Sequence, residues 1–467
     1  MTSAQSKPVS VCFDEDLIRR YDGRGPRYTS YPTALQFDDN FSVDDYMAAV
    51  NSSNASGIPL SVYVHIPFCE SLCYYCGCNK IVTRNQPRVR LYLEALHREI
   101  ELQAELFDQS RTVEQLHFGG GTPTYLDEQQ LATVMQHLDN AFGLDRSDKH
   151  EFSIEVDPRT VNAKRIRELA ALGFNRLSLG VQDFDADVQK AVNREQSVAD
   201  VEQLVNAARR ADFRSISFDL IYGLPEQSIA SFDNTLDQVV AIRPNRIAVY
   251  NYAHLPERFK GQRMIDSARI PNPETKLLLL QHTIEKLIGA GYIYVGMDHF
   301  ALPEDKLISA RNNGTLQRNF QGYSTHRHCD LIGLGVSSIG NIANSFSQNV
   351  TTTMQYEAML ENNHLPIARG IVIDAADQLR AAVIQELMCY DALNFAAFNA
   401  AHDCDFTQDF AAEIENLKPL AADGLVELSD EQIAISSRGR LLLRNIAMVF
   451  DRYLGESAHQ QRFSRAI

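Results

Sequence analysis

The sequence predicts an α/β protein built on a parallel sheet, and two observations predict it. From residue 61 onward, short β-branched runs keep returning, most of them followed by an amphipathic stretch of helical length. Strands that alternate with helices in this way form βαβ units with right-handed crossovers. The glycine-rich and polar motifs also fall at or just after the ends of these runs. That is where a parallel α/β sheet or barrel presents its ligand-binding loops.

Residues 1–55 precede the first run and lack its periodicity; they hold a short helix candidate at 14–21 and then an irregular Gly/Pro-rich stretch. Six strands are predicted at 61–66, 115–118, 152–156, 176–181, 215–221 and 246–250. Between them the 3.6-residue apolar period predicts helices at 92–106, 128–141, 163–172, 201–211 and 229–241. Beyond residue 365 the pattern becomes helical, then turns to Gly424-Leu-Val-Glu-Leu and Ile433-Ala-Ile-Ser, followed by Arg438-Gly-Arg-Leu-Leu-Leu. This ending resembles the helix–wing end of a winged-helix domain. It is not notably basic, so a packing or lid domain is expected rather than a DNA reader. The expected division is an N-terminal extension at 1–55, a catalytic domain at 56–365 and a mainly helical C-terminal domain at 366–467.

The 467 residues carry a formal net charge of −16, with 45% hydrophobic and 22% charged residues. Such a chain suits neither a broad nucleic-acid interface nor an anionic membrane surface. The first twenty residues lack an apolar signal core, and no apolar run reaches spanning length. Of the eight cysteines, four crowd one loop while Cys12, Cys329, Cys389 and Cys404 are scattered. That is no disulfide framework, and a reducing cytoplasm is the expected compartment.

The crowded loop reads His65-Ile-Pro-Phe-Cys69-Glu-Ser-Leu-Cys73-Tyr-Tyr-Cys76-Gly-Cys78. Cys69, Cys73 and Cys76 in C-x3-C-x2-C spacing suit three corners of a [4Fe–4S] cubane, leaving one iron free to bind something else. A structural zinc knot usually combines two separated ligand pairs, and no second C-x2-C or Cys/His pair of that kind occurs. Gly119-Gly-Gly-Thr-Pro follows the second strand, where glycines let backbone approach a charged ligand closely. Single polar residues stand at later strand ends: Glu155, Gln182, Arg194 and Asp219. Arg194 offers the bidentate geometry that a carboxylate prefers.

The cysteine loop resembles that of the radical S-adenosylmethionine (SAM) superfamily. The resemblance implies an open six-stranded (β/α)6 partial TIM-type barrel, a [4Fe–4S] cluster, and SAM bound at the open iron. It further implies Tyr75 near the adenine, Gly120, Gly121 and Thr122 at the SAM amino group, Glu155 at the ribose and Arg194 at the carboxylate. Gln182 and Asp219 complete the cofactor contacts.

Longer segments narrow the match. They are Pro26-Arg-Tyr-Thr-Ser-Tyr-Pro-Thr33, Tyr63-Val-His-Ile-Pro-Phe-Cys69, Cys76-Gly-Cys-Asn-Lys-Ile-Val-Thr83 and His117-Phe-Gly-Gly-Gly-Thr-Pro-Thr124. Asn251-Tyr-Ala-His-Leu-Pro256, Gly296-Met-Asp-His-Phe300, Arg318-Asn-Phe-Gln-Gly-Tyr-Ser324 and Phe463-Ser-Arg-Ala-Ile467 extend it. From about Leu17 to the last residue the chain resembles the oxygen-independent coproporphyrinogen III oxidases (dehydrogenases). The resemblance implies anaerobic decarboxylation of two propionates of coproporphyrinogen III to vinyl groups, giving protoporphyrinogen IX in haem synthesis. It also implies an electron donor such as a flavodoxin or ferredoxin system, a monomer, and a second SAM near Ala253, Gln321 and Ile339, with Tyr63 among the cofactor contacts. Cys78 and the N-terminal Arg24, Arg27, Tyr28 and Tyr31 are then expected on the substrate side, the N-terminal stretch closing over the mouth. The nearest alternative is the related haem-chaperone branch, which typically lacks both the 26–33 stretch and the cysteine at position 78. An Fe–S regulator that binds DNA through the winged-helix-like tail is opposed by the net charge of −16. His326, His328 and Cys329 form a metal-like group and are read as polar loop residues.

Overall fold

The computed structural model describes residues 11–454, so the closing motif 463–467 lies outside the described residues. Six strands follow one another in parallel register: β1 (Leu60–Ile66), β2 (Val113–Gly120), β3 (Glu151–Val156), β4 (Arg176–Gln182), β5 (Ser215–Tyr222) and β6 (Arg246–Asn251). All six predicted strands are present, each within two residues of its expected bounds. Their consecutive order, with β1 and β6 not paired to each other, is that of an α/β barrel cut open. The sequence analysis missed a seventh parallel strand, β7 (Asp330–Leu334), which pairs with the free side of β1. Beyond it run three antiparallel strands, β8 (Ile339–Ile342), β9 (Ser345–Asn349) and β10 (Ile367–Val372).

The parallel strands are apolar because helices cover both faces of such a sheet. In β1 only Tyr63 is less than fully buried, and Val62 lies opposite Leu116 of β2 and Ile332 of β7. Phe118, Phe152 and Phe218 are completely buried in the same layer. The crossover helices start where a side chain satisfies their free amides: Asn85 caps Gln86–Ala104, Asp127 caps Glu128–Phe142, Asn162 caps Ala163–Ala171, Ser197 caps Val198–Arg210 and Ser228 caps Ile229–Ile242. One further helix, Val43–Ser56, lies in the stretch expected to be irregular. Its signal was a Ser42/Asp45 capping box, which the weak apolar periodicity of the segment hid. No described helix is long and apolar enough to cross a membrane.

The chain forms two compact units that cut across the expected linear division. One comprises 37–286 and 328–372 and holds β1–β10; the other comprises the described parts of 1–36, 287–327 and 373–467. The expected extension at 1–55 is therefore divided, and 287–327 leaves the expected catalytic domain. In the second of these units, helices Ala375–Cys389, Phe395–His402 and Ala411–Ala422 accompany a three-stranded antiparallel sheet of Ala392–Asn394, Gln432–Ile435 and Val426–Leu428. The predicted wing is the hairpin of the last two strands.

Tyr28 and Tyr31 sit in the core of this unit with Leu17, Leu387, Phe406 and Phe450, at 2% and 4% exposure. The Tyr28 hydroxyl donates to Asp451 Oδ2 (3.0 Å), and the Tyr31 oxygen accepts from the Arg452 amide (3.2 Å). Both phenols are buried in this unit, each with its oxygen hydrogen-bonded to the 451–452 segment. Arg444 donates to the carbonyls of Gly25 and Pro26, Arg27 is paired with Asp298, and Arg24 is exposed. A contact more than 400 positions away in the chain decides the fate of these tyrosines, and no local pattern could reveal it.

Candidate active site

At the C-terminal ends of β2–β6 lies a cavity of about 270 Å³, lined by the cysteine loop on one side and by strand-end residues on the other. The loop is held from both directions. Phe68–Cys69 pairs in parallel with Ile81–Val82, while the Tyr74 amide reaches Val192 O (3.0 Å) and Asn193 Nδ2 reaches Leu72 O (2.7 Å). Cys69 and Cys73 are buried, Cys76 is half-buried and Cys78 is exposed. Cys78 is nonetheless crowded, because its exposure is to the concave cavity that it lines.

Each loop sulfur meets a different donor. Thr122 Oγ1 approaches Cys69 Sγ (3.6 Å), and Arg159 Nη2 and Arg194 Nη1 both donate to Cys73 Sγ (3.3 Å each). Burial pushes the Cys69 thiol up to about 11. A hydrogen bond from the Cys78 thiol, aided by Lys80, pulls Cys76 down to about 5 and raises Cys78 well above the ordinary thiol range. Lys80 Nζ also donates to the Cys76 carbonyl (2.9 Å).

The glycine ridge explains its own composition. Gly120 has φ +112°, and a Cβ there would lie 2.6 Å from the His65 ring. At Gly121 a Cβ would lie 2.8 Å from Phe68 O and Pro67 C, whose backbone belongs to the cysteine loop. Only glycine lets β2 pass this close under the loop. Glu155, at the end of β3, accepts from the Gly120 amide (3.2 Å) and contacts His117 Nε2 (3.3 Å). Gln182 holds a left-handed backbone (φ +66°) at a register shift between β4 and β5, a strained position of the kind found at binding sites. Arg194 donates to Gly180 O through Nε (3.2 Å) and Nη2 (2.5 Å) and to Asp157 Oδ2 through Nη1 (3.1 Å).

Asp219 accepts from Ser178 Oγ (2.8 Å), yet burial still raises its carboxyl to about 6. A carboxyl raised above its ordinary 3.8 gives stability that is complete at low pH and is lost as pH rises through about 6. Asp219→Asn should remove this loss. The difference in thermal unfolding temperature, variant minus parent, should grow between pH 5 and pH 8. An equal difference at both pH values would show that the carboxyl ionises without cost.

The structure brings Cys69, Cys73, Cys76, Cys78, Tyr75, Gly120, Gly121, Thr122, Glu155, Gln182, Arg194 and Asp219 to one cavity. Tyr63 lies beside it within β1, stacked on His117 (5.8 Å between ring centres). Ala253 follows β6, and its carbonyl shares the Gln262 amide with the Tyr75 carbonyl. Ile339 begins β8 with its backbone against Gly333. Neither lines the cavity. Gln321, Arg24, Arg27, Tyr28 and Tyr31 belong to the other unit. The sequence analysis missed Asp157, Arg159, Ser178 and Lys80. Asp157 carried the same signal as Glu155, a polar residue at the end of β3 two positions on.

The donor set fits a polynuclear cluster rather than a single ion. Among the described residues, only Glu114, His328 and Cys329 form a group of three or more ligand atoms all within 4.8 Å of one another. The loop cysteines stand wider than the sulfurs around one zinc, which lie roughly 3.8 Å apart at bond lengths of about 2.3 Å. The Glu114 group lies at the N-terminal ends of β2 and β7, away from the cavity. His326 is not part of it; its ring bonds Thr325 Oγ1 (2.9 Å) in the other unit.

The parallel sheet, the three-cysteine loop and the glycine ridge under it define a radical SAM protein, and the Radical SAM superfamily profile matches residues 63–239. The HemN C-terminal domain profile matches 373–442. The oxygen-independent coproporphyrinogen III oxidase of Pseudomonas aeruginosa is 51% identical over 458 residues, covering 98% of this chain and 99% of that protein. The one from Escherichia coli K12 is 47% identical over 457 residues, covering 98% and 99%. A solved structure of coproporphyrinogen III oxidase (HemN) from Escherichia coli, described as a radical SAM enzyme, superposes with a TM-score of 0.89 at 45% identity, covering 95% of this chain and all of that one. The chain belongs to the oxygen-independent coproporphyrinogen III oxidase family. The cofactors of its superfamily are a [4Fe–4S] cluster and SAM.

Proposed function

We propose that this chain converts two propionates of coproporphyrinogen III to vinyl groups, giving protoporphyrinogen IX without oxygen. The observation that carries this reading is the single cavity in which three cluster-spaced thiols face a glycine ridge and a ring of strand-end polar groups. Cys69, Cys73 and Cys76 would hold the cluster. When bound, and with an electron from the external donor, the cluster and SAM would supply a 5′-deoxyadenosyl radical. For each propionate, –CH2–CH2–COO− gives –CH=CH2, CO2, one hydrogen atom taken by that radical and one electron passed to an acceptor.

The chain's own residues orient and shield. Gly120, Gly121 and Thr122 would meet the SAM amino group through oxygen acceptors, since their amides are already bonded within the protein. Arg194 would present a guanidinium to its carboxylate, and Glu155 would offer acceptors to the ribose. Tyr75, Tyr63, Gln182 and Asp219 would close the remaining sides, keeping water from the reacting center. A second SAM is proposed at Ala253, after β6, and Ile339, at the start of β8. Cys78, Arg24 and Arg27 are retained as substrate-side groups. A flavodoxin or ferredoxin system as electron donor, a cytoplasmic location and a monomeric state complete the proposal.

Anaerobic incubation of the cluster-loaded protein with coproporphyrinogen III, SAM and a reductant tests it. Vinyl products support the proposal; stable haem binding without decarboxylation would replace it with the chaperone reading. Within the same assay, Arg194→Ala and Glu155→Ala should weaken SAM binding without dissolving the cluster. Loss of a charge-assisted hydrogen bond costs about 1.5–3 kcal/mol, roughly ten- to over a hundredfold in affinity. Unchanged SAM affinity in both variants would assign these side chains to packing.

A further inference from the structure

We infer that Arg159 sets the reduction potential of the cluster through the Cys73 sulfur, and that Asp157 holds it in place for that task. The inference rests on the reading of Cys69, Cys73 and Cys76 as cluster ligands. Cys73 is the sulfur that receives two guanidinium donors, Arg159 Nη2 and Arg194 Nη1, each at 3.3 Å. One carboxylate positions both. Asp157 accepts from Arg159 Nη2 (2.7 Å), from Arg159 Nε (3.0 and 3.2 Å), from the Arg159 amide (3.1 Å) and from Arg194 Nη1 (3.1 Å).

The local chain explains this rigidity. Asp157 follows β3 directly and caps the short turn Pro158–Thr160, so Arg159 leaves the strand end on a fixed course. Its remaining Nη1 donates to the carbonyl of Asn193 (3.2 Å), the residue whose side chain ties down the cysteine loop. The side chain is 18% exposed, so its charge acts in a poorly screened setting.

The two arginines divide the work. Arg194 is also bonded to Gly180 O and faces the proposed carboxylate of SAM, so its contact with Cys73 is the one a bound ligand can alter. Arg159 is fastened at every nitrogen to Asp157, Asn193 or Cys73 and stays on the sulfur throughout. An N–H···S bond from a cation favors the more negative, reduced cluster and so raises its potential. Without it the cluster takes up its electron less readily, while the SAM contacts remain.

The test is an EPR-monitored redox titration of the reconstituted protein, with iron and sulfide content measured alongside. Arg159→Gln should lower the midpoint potential, and Arg159→Lys, which keeps the charge but loses the fork, should fall between it and the parent. SAM affinity should stay within about twofold of the parent in both, because no SAM contact is removed. An unchanged potential in Arg159→Gln at full cluster content overturns the inference. So does a lysine variant that shifts as far as glutamine, since a packing role would ignore the charge. If the glutamine variant assembles no cluster, the lysine variant decides: a lowered potential supports the inference and an unchanged one overturns it. A parent protein that holds no cluster and cleaves no SAM would instead refute the functional reading on which this rests.

Discussion

Serine in place of Cys69, Cys73 or Cys76 is expected to remove most iron–sulfur absorbance and all SAM cleavage. Three ligands for a four-iron cluster leave no redundancy, and the neighboring thiol cannot replace them without moving the loop. Cys78 is the only other cysteine lining the cavity, and its thiol already donates to Cys76. The loop is pinned by its pairing with Ile81–Val82 and by its bonds to Val192 and Asn193, so a shift of ligand would break those contacts. Iron and sulfide content together with 5′-deoxyadenosine formation measure the outcome. A full-strength cluster with normal cleavage in any one variant would end the assignment of that cysteine.

Cys78→Ser should separate SAM cleavage from decarboxylation. Cys78 lies outside the three-ligand spacing and opens onto the cavity. The decarboxylation balances without a proton from the protein, so this side chain is expected to position the substrate or the second cofactor. Misplacing the reacting groups by about 1 Å typically costs roughly 10²-fold. The variant should therefore retain a reducible cluster and release 5′-deoxyadenosine, while CO2 release falls by about that factor. An unchanged ratio of 5′-deoxyadenosine to CO2, with activity retained, would refute a substrate-side role. Loss of the cluster would make Cys78 a ligand or a folding element.

The site was legible wherever chemistry is local in the chain. Cys69, Cys73 and Cys76 curl around one center by spacing alone, and the Gly119–Gly121 triplet announces a close backbone approach. Glu155, Gln182 and Asp219 were legible because a polar residue at the end of an apolar strand has few structural reasons to be there. The fate of 26–33 was not legible. The sequence pattern did not reveal that the Tyr28 and Tyr31 rings lie in the core beside Phe450, nor that the Arg444 guanidinium holds the Gly25 and Pro26 carbonyls. Deleting that stretch would remove core packing and would be a poor probe of substrate binding.

By itself the sequence determined the six alternating strands, the cluster loop and the glycine ridge beneath it. Each depends on side-chain period or spacing within one or two dozen residues, over which backbone geometry is nearly set by the chain itself. The tertiary structure alone decided that β7 joins the parallel sheet beside β1, that Asp157 gathers Arg159 and Arg194 onto Cys73, and that His328 pairs with Glu114 instead of His326. These contacts join residues 86, 121 and 214 positions apart in the chain. They depend on which strand ends the sheet order brings together, and no local periodicity encodes that order.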